Sequence, residues 1–122
     1  MNRTDPMSGV WQPNPLINIT IPDYLSRPNL LVVKMDTGSM EPVIRRNAYV
    51  GLDRDDTHLR SGEIYALNVP GEGLVIKRVV RDLEKGRLVL RTDNPAHQDL
   101  SLPLENPGVT ALGRAVWVIQ EL

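Results

Sequence analysis

Two short stretches carry residue types that could do chemistry. The first is MDTGSMEPVIRR, residues 35–46. Here a mostly apolar, strand-like chain breaks into a polar turn with one small hydroxyl residue, Ser39, between Gly38 and Met40. Gly38 has no side chain, so another backbone can approach closely and unusual dihedrals are open to it. A serine that opens a helical turn stands beside backbone N–H groups with no partner in the turn, and such donors can hold a developing oxyanion. These features fit a nucleophile; a plain helix-capping serine has the same local signature. The second stretch is GLVIKRVV, residues 73–80. Strand side chains alternate between faces, so Lys77 shares a face with Val75 and Val79, and Arg78 shares one with Ile76 and Val80. At least one cation must therefore lie against an apolar surface. Arginine keeps its proton when buried, whereas desolvation lowers the pKa of lysine. A neutral lysine is a general base. An edge strand whose lysine snorkels to water satisfies the same pattern.

Other candidates are weaker. His58 and His97 are the only histidines, and neither has metal-ligand spacing. Cysteine is absent, which removes disulfides, thiol catalysis and cysteine-ligated metals. A Ser39–His97–Asp99 triad can be drawn on paper, but TDNPAHQD, residues 92–99, reads first as a turn. The glycines of PGEG, residues 70–73, read as a hairpin loop rather than a phosphate cradle, because no helical pattern follows. Arg45–Arg46 reads as a solvated turn. No cofactor is expected.

The elements that must position Ser39 and Lys77 are strands. Ten prolines and nine glycines cut the chain into short pieces, and no segment keeps a 3.6-residue period. Runs rich in β-branched residues recur at 16–21, 30–35, 48–52, 63–69, 73–81, 87–91 and 109–119, with Gly, Pro, Asn or Asp between most of them. This pattern predicts an all-β domain with tight connections. The one expected helical turn is 39–45, with Ser39 as N-cap and Pro42 in its first turn. Residues 1–29 are expected to be an N-terminal arm and linker, and 30–122 one domain. At 122 residues the chain fits one domain and not two. Fourteen Lys plus Arg against fifteen Asp plus Glu give a net charge of −1, no electrostatic footprint for nucleic acid. The start, MNRTDPMSG, has no apolar segment like a signal peptide. The longest apolar run, Ala115–Ile119, is far short of the roughly 20 residues a membrane helix needs. A cytoplasmic location and no membrane partner are expected.

Taken together, these residues resemble the LexA-like serine–lysine peptidase domain of LexA, the UmuD mutagenesis protein and phage CI-type repressors. The family's Ser-Met-x-Pro motif stands here as Gly38-Ser39-Met40-Glu41-Pro42, and its Lys-Arg strand as Val75-Ile76-Lys77-Arg78-Val79. Lys77 follows Ser39 by 38 residues, a separation of the size that family uses. Between them LRSGEIYALNV, residues 59–69, is similar to the family's Asp-Gly-x-Ile-Tyr-x-Leu strand. After them RTDNPAHQD, residues 91–99, resembles its Asn-Pro-x-Tyr segment, and LGRAVWVI, residues 112–119, its closing Gly-Arg-x-x-Trp strand. There are departures. Gly38 replaces an acidic residue or Asn, Asn47–Ala48 stands for a Gly-Asp pair, and His97 stands for Tyr. They suggest a phage-repressor-like branch.

The resemblance implies strongly bent antiparallel β-sheets. It implies Ser39 as nucleophile and Lys77 as general base in self-cleavage, and a homodimer. In such repressors a helix-turn-helix domain precedes this one, operator DNA is bound only through that domain, and a recombinase filament activates cleavage. The chain is then expected to be the C-terminal domain of a repressor, a cleavage product, or a UmuD-like protein that assists a translesion polymerase. A dimerisation module without a cleavable segment is a further alternative. The family cuts after Ala or Cys and before Gly; upstream of Ser39 the one small-residue–Gly pair is Ser8–Gly9. Signal peptidases have related motifs, but the Thr92-Asp93-Asn94-Pro95 block and the lack of an anchor argue against them.

Overall fold

A computed structural model describes residues 20–122. Seven strands form one antiparallel sheet: β1 (Leu30–Lys34), β2 (Tyr49–Asp53), β3 (Ile64–Val69), β4 (Gly73–Asp82), β5 (Arg87–Arg91), β6 (Leu100–Pro103) and β7 (Thr110–Ile119). Their spatial order is β1-β2-β7-β3-β4-β5-β6. A hairpin of β1 and β2 and a meander of β3 to β6 are thus joined by the last strand, β7, inserted between them. The all-β expectation holds, and six strands fall within one residue of the bounds read from the sequence. The strands make a single sheet, because β7 hydrogen-bonds to both halves. Among the described residues no helix is long and apolar enough to cross a membrane.

Two elements differ from the sequence reading. Strand β6 was not anticipated, although Leu100, Leu102 and Leu104 alternate with smaller or polar residues at a strand period. Pro103 hides it, and the strand tolerates that proline because it lies at the edge of the sheet, where one side of the backbone needs no partner. The expected strand at 16–21 falls mainly outside the described residues, and Thr20 and Ile21 are not in a strand. Among the described residues the one helical turn is a 3-10 turn at Asp23–Leu25. Residues 39–45 form an irregular turn instead, with Glu41 N–H donating to Gly38 O at 3.1 Å and Ile44 N–H to Met40 O at 2.9 Å.

The core explains why β3 is central. Ala66 points into one cluster, with Val33, Met40, Ile44, Val50 and Ile76. Its neighbours Tyr65, Leu67 and Val69 point the other way, into a second cluster with Val79, Leu88 and Leu90. A strand buried on both faces reads as a nearly continuous apolar run, as YALNV does. Strand β7 spans both clusters by bulging twice, opposite Gly51/Leu52 and Ala66/Leu67. Each bulge bends the strand and increases its twist. Gly51 has a packing reason: a Cβ there would lie 2.3 Å from the Trp117 ring, whose indole N–H donates to Leu25 O at 3.0 Å.

Candidate active site

Ser39 lies in an excursion between β1 and β2 that is pinched at its base. Met35 N–H donates to Ala48 O and Asn47 N–H to Met35 O, both at 2.8 Å. Within the excursion Met40 is fully buried and Ile44 nearly so. These two apolar residues pin the polar turn to the first core, which fixes Ser39, one residue before Met40. Ser39 is itself buried, 7% exposed. Its hydroxyl does not cap the turn; it lies 3.0 Å from the Thr37 hydroxyl. Gly38 has no left-handed φ, and a Cβ there would meet the Glu41 carboxylate at 3.0 Å. Its small size therefore leaves room beside Glu41 rather than enabling an unusual backbone.

Lys77 sits in the middle of β4, directly opposite Tyr65 of β3. Directly paired residues share a face, so the lysine is bordered by the Tyr65 ring and by Val75 and Val79 on its own strand. Desolvation by these neighbours holds its pKa below the ordinary 10.5 for lysine, and the carboxylates of Glu72 and Asp99 only partly offset this. Arg78, on the opposite face, takes the polar solution. Its guanidinium donates to both carboxylate oxygens of Asp93, at 3.0 and 2.9 Å, and to Gly62 O at 2.7 Å. The two adjacent cations thus have opposite environments, one apolar and one ionic.

The segment 92–99 ties these parts together. Asp93 is held by Arg78 on β4. Next to it the Asn94 side-chain amide donates to Gly38 O at 2.7 Å, and Asn94 N–H donates to Ser39 O at 3.1 Å. The loop closes on itself through Thr92, whose hydroxyl donates to Asn94 O and His97 O and whose N–H donates to the Asp99 carboxylate. One loop therefore clamps the turn of Ser39 to the strand of Lys77. The bond from Asn94 to Gly38 has no local sequence signal, since the two residues are 56 apart. Replacing Asp93 by alanine leaves the Arg78 guanidinium, 28% exposed, without its partner. Unfolding in urea is expected to show a loss of about 1–3 kcal/mol; a change within error would mean that the ion pair does not hold the loop.

Ser39 and Lys77 line the same cavity, of about 220 Å³. Val33, Met35, Leu74 and Ile76 give it an apolar wall, and Thr37 and His97 stand at its polar side. A second cavity of about 160 Å³ also borders Lys77, together with Val69, Leu90, Glu72 and Asp99. His97 and Asp99 do not complete a triad. Asp99 accepts from Thr92 N–H, and among the described residues no hydrogen bond joins the His97 ring to Ser39 or Asp99. His58 is remote in role: its carbonyl accepts from the Tyr65 hydroxyl at 2.8 Å. A small hydroxyl and a partly desolvated amine lining one cleft with an apolar wall are an arrangement able to attack a carbonyl. Thr37 escaped the sequence reading, and Asn94 entered it only within the Asn-Pro segment, without its bond to Gly38; for Thr37 the signal was a second hydroxyl two positions before the serine. The sequence profile of a family described as Peptidase S24-like matches residues 12–116. Among curated proteins no significant match to the chain is found.

Proposed function

The chain belongs to the Peptidase S24-like family, the serine peptidase family of LexA, UmuD and phage repressors, and from that premise we propose that it is the self-cleaving, dimerising domain of a phage-type or SOS-response transcriptional repressor. The observation that carries the reading is the shared cavity of Ser39 and Lys77, with the lysine held toward its neutral form by burial. In this reading neutral Lys77 takes the Ser39 proton as Ser39 Oγ attacks a peptide carbonyl. The carbonyl oxygen becomes an oxyanion facing backbone N–H groups at or beside Ser39. Lys77 then gives its proton to the leaving amine, and the C–N bond breaks. Water, deprotonated by the same lysine, hydrolyses the acyl ester and restores the hydroxyl.

The substrate in this reading is the chain's own upstream segment; Ser8–Gly9, the candidate bond, lies outside the described residues. Operator DNA would be bound through a helix-turn-helix domain preceding this one, with a recombinase filament as activator and the cytoplasm as the location. The apolar side chains of Val43, Val118 and Ile119 are each more than a third exposed, surface that a second copy would cover in part. The test is incubation of the protein with the segment that precedes Ser39 in its gene, followed by mass spectrometry. A single internal cut is expected, lost in Ser39→Ala. Sedimentation is expected to give twice the 13.7 kDa of one chain. Cleavage by Ser39→Ala at the unsubstituted rate would overturn the peptidase reading, and a monomer at tens of micromolar the dimer.

A further inference from the structure

The Thr37 hydroxyl lies 3.0 Å from Ser39 Oγ, and the same Thr37 oxygen lies 3.4 Å from the Ser39 backbone nitrogen. Two hydroxyls at this separation form one hydrogen bond, and geometry alone leaves its direction open. The chemistry closes it. For Lys77 to receive the Ser39 proton, that proton must point at the lysine. The bond to Thr37 must then run the other way, with the Thr37 O–H donating to Ser39 Oγ.

We propose that Thr37 is a positioning residue of the site: its hydroxyl donates to Ser39 Oγ and holds the serine so that its own O–H is directed at Lys77. The proposal rests on the Ser39–Lys77 reading and adds a residue to it. A serine hydroxyl is free to rotate, and a donor fixed 3.0 Å from its oxygen holds one rotamer and one direction of its O–H. Holding the reacting groups in the productive geometry before attack is the condition for an effect on rate. Position supports the role. Thr37 and Ser39 are two residues apart on one pinched turn, so their separation is built into the backbone rather than assembled on binding.

Thr37 is exposed in the free protein, and water can compete for Ser39 Oγ there. A peptide laid over the cavity would exclude that water and leave Thr37 as the remaining neutral donor. The second contact, Ser39 N–H to Thr37 Oγ1, is near the outer limit for a hydrogen bond and costs little to give up. The Ser39 N–H therefore stays available to a substrate carbonyl oxygen.

The test compares Thr37→Val, which keeps the shape and removes the hydroxyl, with Thr37→Ser, which keeps the hydroxyl. Ser39→Ala and Lys77→Met serve as controls. Two rates are read: first-order self-cleavage across a pH series, and covalent labelling of Ser39 by an aryl sulfonyl fluoride on the chain itself. In the labelling the Ser–O–S bond forms, fluoride leaves, and the serine proton passes through Lys77. Thr37→Val is expected to lower both plateaus by roughly 10- to 100-fold, the size expected when a nucleophile loses its fixed orientation. The midpoint of the pH profile and the thermal midpoint are expected to stay in place. Thr37→Ser is expected to remain within about 3-fold of the unsubstituted protein. Equal rates in Thr37→Val and the unsubstituted protein would overturn the proposal alone, and so would equal losses in the valine and serine variants. Full activity in Ser39→Ala would overturn the underlying dyad as well.

Discussion

Lys77→Arg is expected to abolish self-cleavage, with a loss of at least about 10³-fold, although it preserves both the positive charge and the hydrogen-bonding capacity of the side chain. The reason is the proton. Arginine retains it even when buried, so an arginine facing Ser39 has no lone pair to receive a hydrogen. Lysine in the same place is held below its ordinary 10.5 by desolvation. For the unsubstituted protein the rate should therefore rise with pH as Lys77 deprotonates, and then level off, because no second essential acid is invoked. The charged and titratable groups around the lysine are Glu72 and Asp99, which favour its protonated form, and Lys34, Asp36 and His97 across the cavity. Removing His97 is expected to leave the rate nearly unchanged, since its ring has no bond to Ser39. Ser39→Ala should match Lys77→Arg, and the double variant should be no worse than either, because the two residues act as one unit. Rates are measured by mass spectrometry on protein carrying its upstream segment. An arginine variant that still cuts, or a His97→Ala variant that does not, would mean that the base has been misidentified.

What was legible in the sequence was what depends on short-range pattern. Strands β1, β2, β3, β4, β5 and β7 announced themselves by β-branched runs between turn residues. The conflict at Lys77–Arg78 was visible as well, because alternation forces two adjacent cations onto opposite faces. Which cation would be buried was not visible. That depends on Tyr65, which lies opposite Lys77, and on Asp93, which reaches Arg78 from a loop fifteen residues away. Ser39 could be singled out but not distinguished locally from a capping serine; the distinction came from where its hydroxyl points, toward Thr37 rather than a backbone N–H. The role assigned to Gly38 missed for a related reason. A glycine before a serine suggests a strained turn, yet here the backbone is ordinary and the constraint is the nearby Glu41 carboxylate. The single sheet was equally hidden, since β7 joins its two halves only by pairing with strands far away in the chain.

The burial that favours a neutral lysine also carries a cost in stability, and this leads to an expected result with the opposite sign for fold and function. Because the folded-state pKa of Lys77 is lowered, the unfolded chain binds more protons than the native one between that pKa and 10.5. Stability must therefore rise with pH across that window. Below the window Lys77 is protonated in both states, and its contribution is a constant destabilisation. Above 10.5 it is neutral in both, and the destabilisation is gone. Lys77→Met, similar in length and without a charge, is expected to be more stable than the unsubstituted protein at neutral pH by about 0.5–2 kcal/mol, while cutting nothing. The lysine is only partly buried, which keeps the expected gain at the modest end of that range. Urea unfolding of both proteins across alkaline pH gives the decisive quantity, the difference between them, in which the titration of every other group cancels. That difference should shrink toward zero as pH climbs through the lowered pKa toward 10.5. A methionine variant less stable at neutral pH, or a difference that grows with pH, would show that Lys77 is charged and well paired in the fold, and therefore unfit to take the proton of Ser39.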